Sequence, residues 1–567
     1  MNVFNPLILA AFAGSWAPLL GPAYRPAGAD LRDSYDVDTY RLDLTVNPKT
    51  ETLSGLGVTV AVVTKELDTF ELDLLQGREV EGVHWVKAPV TPSSSLTGKA
   101  LKFERSGDHI FIHLPRKMNP GEQVRVAVSY SYKPSGTGET GIFFHKTPDG
   151  KPWVQTECQV LGAHSWWPCK NDNEHPEDKS AHYYVNATVP TGLTAVSNGI
   201  LTGREAKGPW TTFHWQHNYP CENYAICLDV APYVELKDSI EIPGLAQPVS
   251  ASYYVLPQDA EKAKLQFEDA PGMLRAYSEA FGPWPYPKEK FKLVETDFWG
   301  EEHSTAVSYG NTFPKWAKLH GEKDRYAGMN RLFDYILIHE CAHEWWGNAV
   351  SAKDWGNLWI HEGFATYAES VYLEKTQGRD KADEWLAEME PRIPAEFREY
   401  RGKGVLPSQA FSNDVYWKGA WILNTLRTYV NDDEAWWKAL RDFNLRFRYK
   451  CATAEDFQRV LEEVTGKSWK QFFLEWFYGD GQPAVAGTVW LSGDGIDVSI
   501  ENPDQHGNSF HVPLDLEWTQ DGRTVDKRII LEPGSNKASI AVGAGVSGLR
   551  ILNLNRMLGT FRIAVSG

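Results

Sequence analysis

A chain of 567 residues, 42% hydrophobic and 23% charged, exceeds what one hydrophobic core supports and predicts three or four globular domains. Its formal net charge of −17 speaks against nucleic acid or an anionic membrane surface as a partner. The 23 Trp residues are unusually many and suit deep aromatic-lined clefts as well as cores.

Residues 1–32 read as an N-terminal tail. The apolar run Pro6–Ala13 is too short to span a bilayer, and no Lys or Arg precedes it as a secretory signal requires. Ala11-Phe12-Ala13 resembles a cleavage site, so export stands as the alternative to a cytoplasmic location. The six cysteines make no CxxC pair. Free thiols in a reducing compartment are expected, with Cys158–Cys169 and Cys221–Cys227 left open as disulfide pairs.

Residues 33–246 alternate with period two. Tyr40, Leu42, Leu44 and Val46 share one face, as do Leu56, Val58, Val60 and Val62, and Val124, Val126, Val128 and Tyr130. This predicts an antiparallel β domain whose strands are separated by turns such as Asn119-Pro120-Gly121.

Residues 247–482 turn helical. The pattern predicts a helix over 260–281 broken near Pro271-Gly272, and a long helix over 325–346 with Gly347 as its C-cap. It continues with helices over 358–377, 420–430, 432–447 and 454–464. Residues 483–567 return to short alternating stretches at 489–491, 496–500, 512–517, 528–531 and 549–554, a small β-sandwich. The fold class is therefore multidomain α+β.

The chemistry centres on 339-HECAHEWWGNAV-350. His339 and His343 lie four residues apart on a helix that begins upstream of Leu332, so both imidazoles sit on one face and can approach one ion. Zinc is the usual occupant, and Glu340 projects beside it, where it can take a proton from a water. A histidine at the metzincin position would make that class, but Trp346 and Ala349 stand at the diagnostic places. Downstream, 359-WIHEGFATYAE-369 offers Glu362 after an 18-residue gap, long enough for a turn and a returning helix. His339, His343 and Glu362 make a His2Glu set with one position open, the catalytic arrangement, with one Zn2+ per chain. Glu369, two turns on, can orient a ligand histidine or simply face solvent.

This combination resembles the aminopeptidase N family of zinc metallopeptidases, which also contains the leukotriene hydrolase. The family's GxMEN-type segment is matched by 299-WGEEHSTAVSYGN-311. There Gly300 leads, Glu302 takes the place of the glutamate that holds the substrate's α-amine, and Glu301 and His303 replace the usual Met and Asn. The segment 156-TECQVLGAHSWWPCKND-172 resembles the one giving a second contact to the amine, through Gln159. Likewise 413-NDVYWKGAWIL-423 resembles the segment with a tyrosine before Lys-Gly, here Tyr416. The resemblance covers residues 35–480 and implies a thermolysin-like catalytic domain acting on peptides with a free N-terminus. The tail is too short for the family's large C-terminal helical domain and reads as strands.

The expected reaction is hydrolysis of the first peptide bond. Glu340 serves as base, Tyr416 helps zinc stabilise the oxyanion, and Glu302 with Gln159 anchors the amine. Glu301 adds negative charge at the pocket for the first side chain and favours basic or small residues over acidic ones. A thermolysin-like endopeptidase has no use for Glu302, and a non-catalytic scaffold has no need of four intact metal-site residues.

Overall fold

The computed structural model describes residues 30–566 apart from 97, 135–140, 172, 325, 394–412, 494 and 544. The apolar run near the N-terminus lies outside them. The chain forms two compact units: one runs to Lys353 and includes Phe447–Cys451, and the other comprises Asp354–Arg446 and Ala452–Gly567. The expected domain 247–482 therefore contributes to both.

The first unit opens with an eight-stranded sheet. Its central strands are His182–Pro190, Tyr35–Asn47, Thr52–Val63 and Gln123–Tyr132. Tyr40, Leu42, Leu44 and Val46 are all buried, as alternation predicts. The sheet's pairings include a parallel one, Tyr35–Asn47 with His182–Pro190, which the long stretch of chain between them permits. A four-stranded sheet in the order Thr194–Val196, Asp229–Ala231, Pro152–Glu157, Gly141–Lys146 follows. A five-stranded mixed sheet then ends on a two-residue edge strand, Gly300–Glu301, paired with Val307–Gly310.

Two helix expectations need correction here. The first helix breaks at a 3-10 turn, Phe267–Asp269, and not at Pro271. Pro271 instead starts Ala270–Phe281, where a missing N–H costs nothing. The long helix expected over 325–346 is only Tyr335–Ala342. Asp334 caps it, accepting from Leu337 N at 3.2 Å, so it begins downstream of Leu332. At the other end His343 is the C-cap and Gly347, at φ 121°, turns the chain away.

In the second unit Trp355–Ile360 is a 3-10 segment, so the helix expected from Leu358 starts at Glu362 and runs to Gln377, closed by Gly378 at φ 98°. It packs against Asn413–Val430, which starts well before the predicted residue 420. A Cβ on Gly363 would lie 3.0 Å from Gly419 Cα, so the two helices touch backbone to backbone. Gly363→Ala should destabilise the protein by about 1–3 kcal/mol through overpacking, read as a lower Tm.

The C-terminal region is mostly β, with one four-stranded and one three-stranded sheet. Sequence alternation finds five of the seven and misses Gly534–Ala541 and Thr560–Ser566, which are largely exposed. The last predicted strand ends at Ile551, and Leu554 opens a 3-10 turn. All six cysteines are thiols. No helix among the described residues is long and apolar enough to cross a membrane.

Candidate active site

The first unit brings together residues far apart in the chain. His339 and His343 are buried, and their Nε2 atoms stand 3.3 Å apart. Two nitrogens bound tetrahedrally at about 2.0–2.1 Å lie about 3.3–3.4 Å from each other, so the pair fits a zinc ion. The tautomer agrees. His343 Nδ1 donates to Trp346 O at 2.9 Å, with the Glu302 carboxylate also against it, which leaves Nε2 its lone pair. His339 is held by stacking on Tyr335, with ring centroids 5.2 Å apart.

Glu302 is buried at the end of the edge strand. Its Oε1 accepts from Gln159 Nε2, 143 residues away, and from the Tyr224 hydroxyl. Asn348 Nδ2 donates to Glu302 O at 2.8 Å, tying this loop to the turn after His343. Glu302, the expected amine anchor, thus touches His343, an expected metal ligand. Sequence reasoning missed Tyr224, because nothing local marks an aromatic in a 3-10 turn as a partner of an acid 78 residues on. Tyr224→Phe removes one donor to Glu302; with Glu302 as the expected amine anchor, it should raise KM for free-amine substrates about tenfold, with kcat little changed in steady-state assays.

Glu340 lies directly against the edge strand: a Cβ on Gly300 would come within 2.7 Å of its Oε1. Glu301, the other edge residue, is buried. Glu157 is a second acid that sequence reasoning missed. Burial, with Asp297 and Glu340 as neighbouring negative charges, pushes its carboxyl up to about 7. Glu344 was missed too. It accepts from Thr305 N at 2.7 Å and Trp284 Nε1 at 2.8 Å, and so holds Thr305 in its left-handed conformation at φ 58° just beyond Glu302. Burial pushes Glu344 up to about 7 and His303 down to about 3.

The second unit presents its own candidates on two helices. Glu362 is buried in the first turn of Glu362–Gln377. Glu369 is buried further along and accepts from Trp385 Nε1 at 2.7 Å, so it does not face solvent. Tyr416 sits in the first turn of Asn413–Val430, half-buried, whereas its neighbour Trp417 is buried beneath the Arg392 guanidinium, 5.1 Å from the ring centroid.

Comparison with known proteins adds the family. The model of the peptidase family M1 domain matches residues 265–476, and that of the M1 N-terminal domain matches residues 36–224. The chain belongs to peptidase family M1. Among curated M1 relatives, "Probable aminopeptidase 2" of Sulfurisphaera tokodaii is 26% identical over 497 residues, 83% of this chain and 58% of the relative. "Aminopeptidase N" of Streptomyces lividans is 25% identical over 488 residues, 82% of this chain and 52% of the relative. The chain thus spans about half the length of the curated M1 relatives it matches. A solved M1 zinc metallopeptidase from Deinococcus radiodurans, a variant bound to a Tyr-Ser-Ala substrate, shares the fold. Its TM-score is 0.63 at 23% identity, over 78% of this chain and 94% of that one.

Proposed function

We propose that this M1 chain is a zinc-dependent aminopeptidase that removes the first residue of peptides with a free N-terminus. The observation that carries the reading is Glu302: a buried carboxylate, braced by Gln159 and Tyr224, that touches the ligand histidine His343. An ammonium held there lies about one residue from the metal, so the bond presented is the first one.

In this reading His339, His343 and Glu362 hold one zinc ion, and Glu369, fixed by Trp385, is a positioning residue. Zinc, when bound, lowers the pKa of a water toward about 7 and polarises the scissile carbonyl. Glu302 and Gln159 bind the α-ammonium. The substrate backbone lies along the edge strand Gly300–Glu301, beside Glu340. Glu340 takes the proton of the attacking water and returns it to the leaving amine. The Tyr416 hydroxyl donates to the carbonyl oxygen as negative charge grows there. A reducing, cytoplasmic setting is part of the reading and is supported by the six thiols.

The test is cleavage of free and N-acetylated aminoacyl anilides with and without chelator. Activity on free substrates alone, abolished by chelator and restored by zinc, is expected. Equal cleavage of acetylated substrates would indicate an endopeptidase, and no cleavage with zinc bound a binding scaffold.

The acids at the site set a pH signature. Glu157 is protonated below about 7 and charged above it. A basic first side chain therefore gains attraction as pH rises through that value. The ratio of kcat/KM for Arg-anilide to Leu-anilide should climb severalfold across neutrality, and Glu157→Gln should flatten the climb. Glu-anilide should be the poorest substrate throughout.

A further inference from the structure

The proposed chemistry leaves one cluster of ligand-type side chains in the first unit unused. Asp229 opens the strand Asp229–Ala231 of the four-stranded sheet, and Cys227 lies two residues before it. His303 follows Glu302 on the loop beyond the edge strand. The fold gathers these three from segments some seventy residues apart. Their donor atoms, one each of sulfur, oxygen and nitrogen, all lie within 4.8 Å of one another, and all three side chains are 0% exposed.

The surroundings do not satisfy them. The Thr156 N–H and the Cys227 thiol face the Asp229 carboxyl, but neither stands at ordinary hydrogen-bond length, and His303 Nε2 has no partner. His303 Nδ1 meets Ser308 Oγ at 3.0 Å, the contact on the far ring nitrogen that fixes a ligating histidine and leaves Nε2 its lone pair. Lys292, whose charge reaches Cys227, spends its ammonium on the backbone carbonyls of Gly199 and Lys290 and not on Asp229. A buried carboxylate with only such weak donors is costly unless a cation compensates it. A thiolate, an imidazole and a carboxylate at this spacing form a borderline-soft donor set that suits zinc over magnesium or calcium. Their two negative charges would neutralise a divalent ion.

We propose that Cys227, Asp229 and His303 form a second, fully buried zinc site, structural in role, that pins the loop carrying the amine anchor Glu302 to the strand Asp229–Ala231. The ion enters as the chain folds, because the cluster has no exposed face. The site departs from the family pattern at His303, where Asn is usual, and it requires nothing of the catalytic ion.

The test counts metal in the full-length protein by elemental analysis. Wild type should carry two equivalents of zinc per chain. Cys227→Ser and His303→Asn should each carry one, and so should His339→Ala, which disables the catalytic ion. Cobalt(II) substitution separates the two sites, since only the second has a sulfur ligand. A thiolate-to-cobalt charge-transfer band in the near ultraviolet should persist in His339→Ala and vanish in Cys227→Ser. One equivalent in wild type, with none in His339→Ala and no thiolate band, overturns the proposal while leaving the aminopeptidase reading intact. So does a wild type whose second equivalent survives both Cys227→Ser and His303→Asn. In either case Cys227 and Asp229 are a neutral thiol–carboxyl pair.

Discussion

Glu340→Gln should lower kcat about 10²–10⁴-fold, the range for loss of a general base, with zinc content unchanged. The amide keeps the size of the side chain and its contact with Gly300, so the edge strand stays where it is. What it loses, in the proposed reading, is the capacity to accept a proton from water and deliver it to the leaving amine. Because Glu340 is not read as a ligand, the catalytic ion should stay, and KM should move little. Turnover above about a tenth of wild type would assign the base to another group. Loss of the ion would make Glu340 a ligand and undo the division of labour between it and the two histidines.

Tyr416→Phe should lower kcat about 10²–10³-fold, near 3 kcal/mol, with KM nearly unchanged. In the proposed reading the hydroxyl matters only once charge has developed on the carbonyl oxygen, so the ground state should scarcely register its removal. The ring is half-buried and keeps its place as Phe, so Tm should hold. A change in KM or a clear fall in Tm with kcat intact would instead make Tyr416 a packing aromatic like Trp417.

What was legible in the sequence follows from how local each signal is. Alternation along residues 40–46 and 124–130 names the buried face of strands whose interior side is apolar. It fails for Gly534–Ala541, where Ile540 is the buried member and both faces are otherwise polar or small. The spacing of His339 and His343 survives the correction to their helix, because His343 keeps helical angles, φ −62° and ψ −18°, as the C-cap. The helix length was not legible, since residues 325–333 carry a helical rhythm while Asp334 prefers to cap. Gln159 and Glu302 were named from separate motifs, and the fold joins them. Tyr224, Glu157 and Glu344 belong to no motif. They matter through tertiary neighbours alone, which a linear reading does not contain.

The two-residue edge strand has a last consequence. In the proposed reading Gly300–Glu301 would pair with only the leading stretch of a peptide before the ladder runs out. Residues further along should then add little to recognition, so long and short oligopeptides should compete on equal terms. Digestion should proceed as stepwise trimming, in which each shortened product re-enters as readily as its parent and a nested series accumulates.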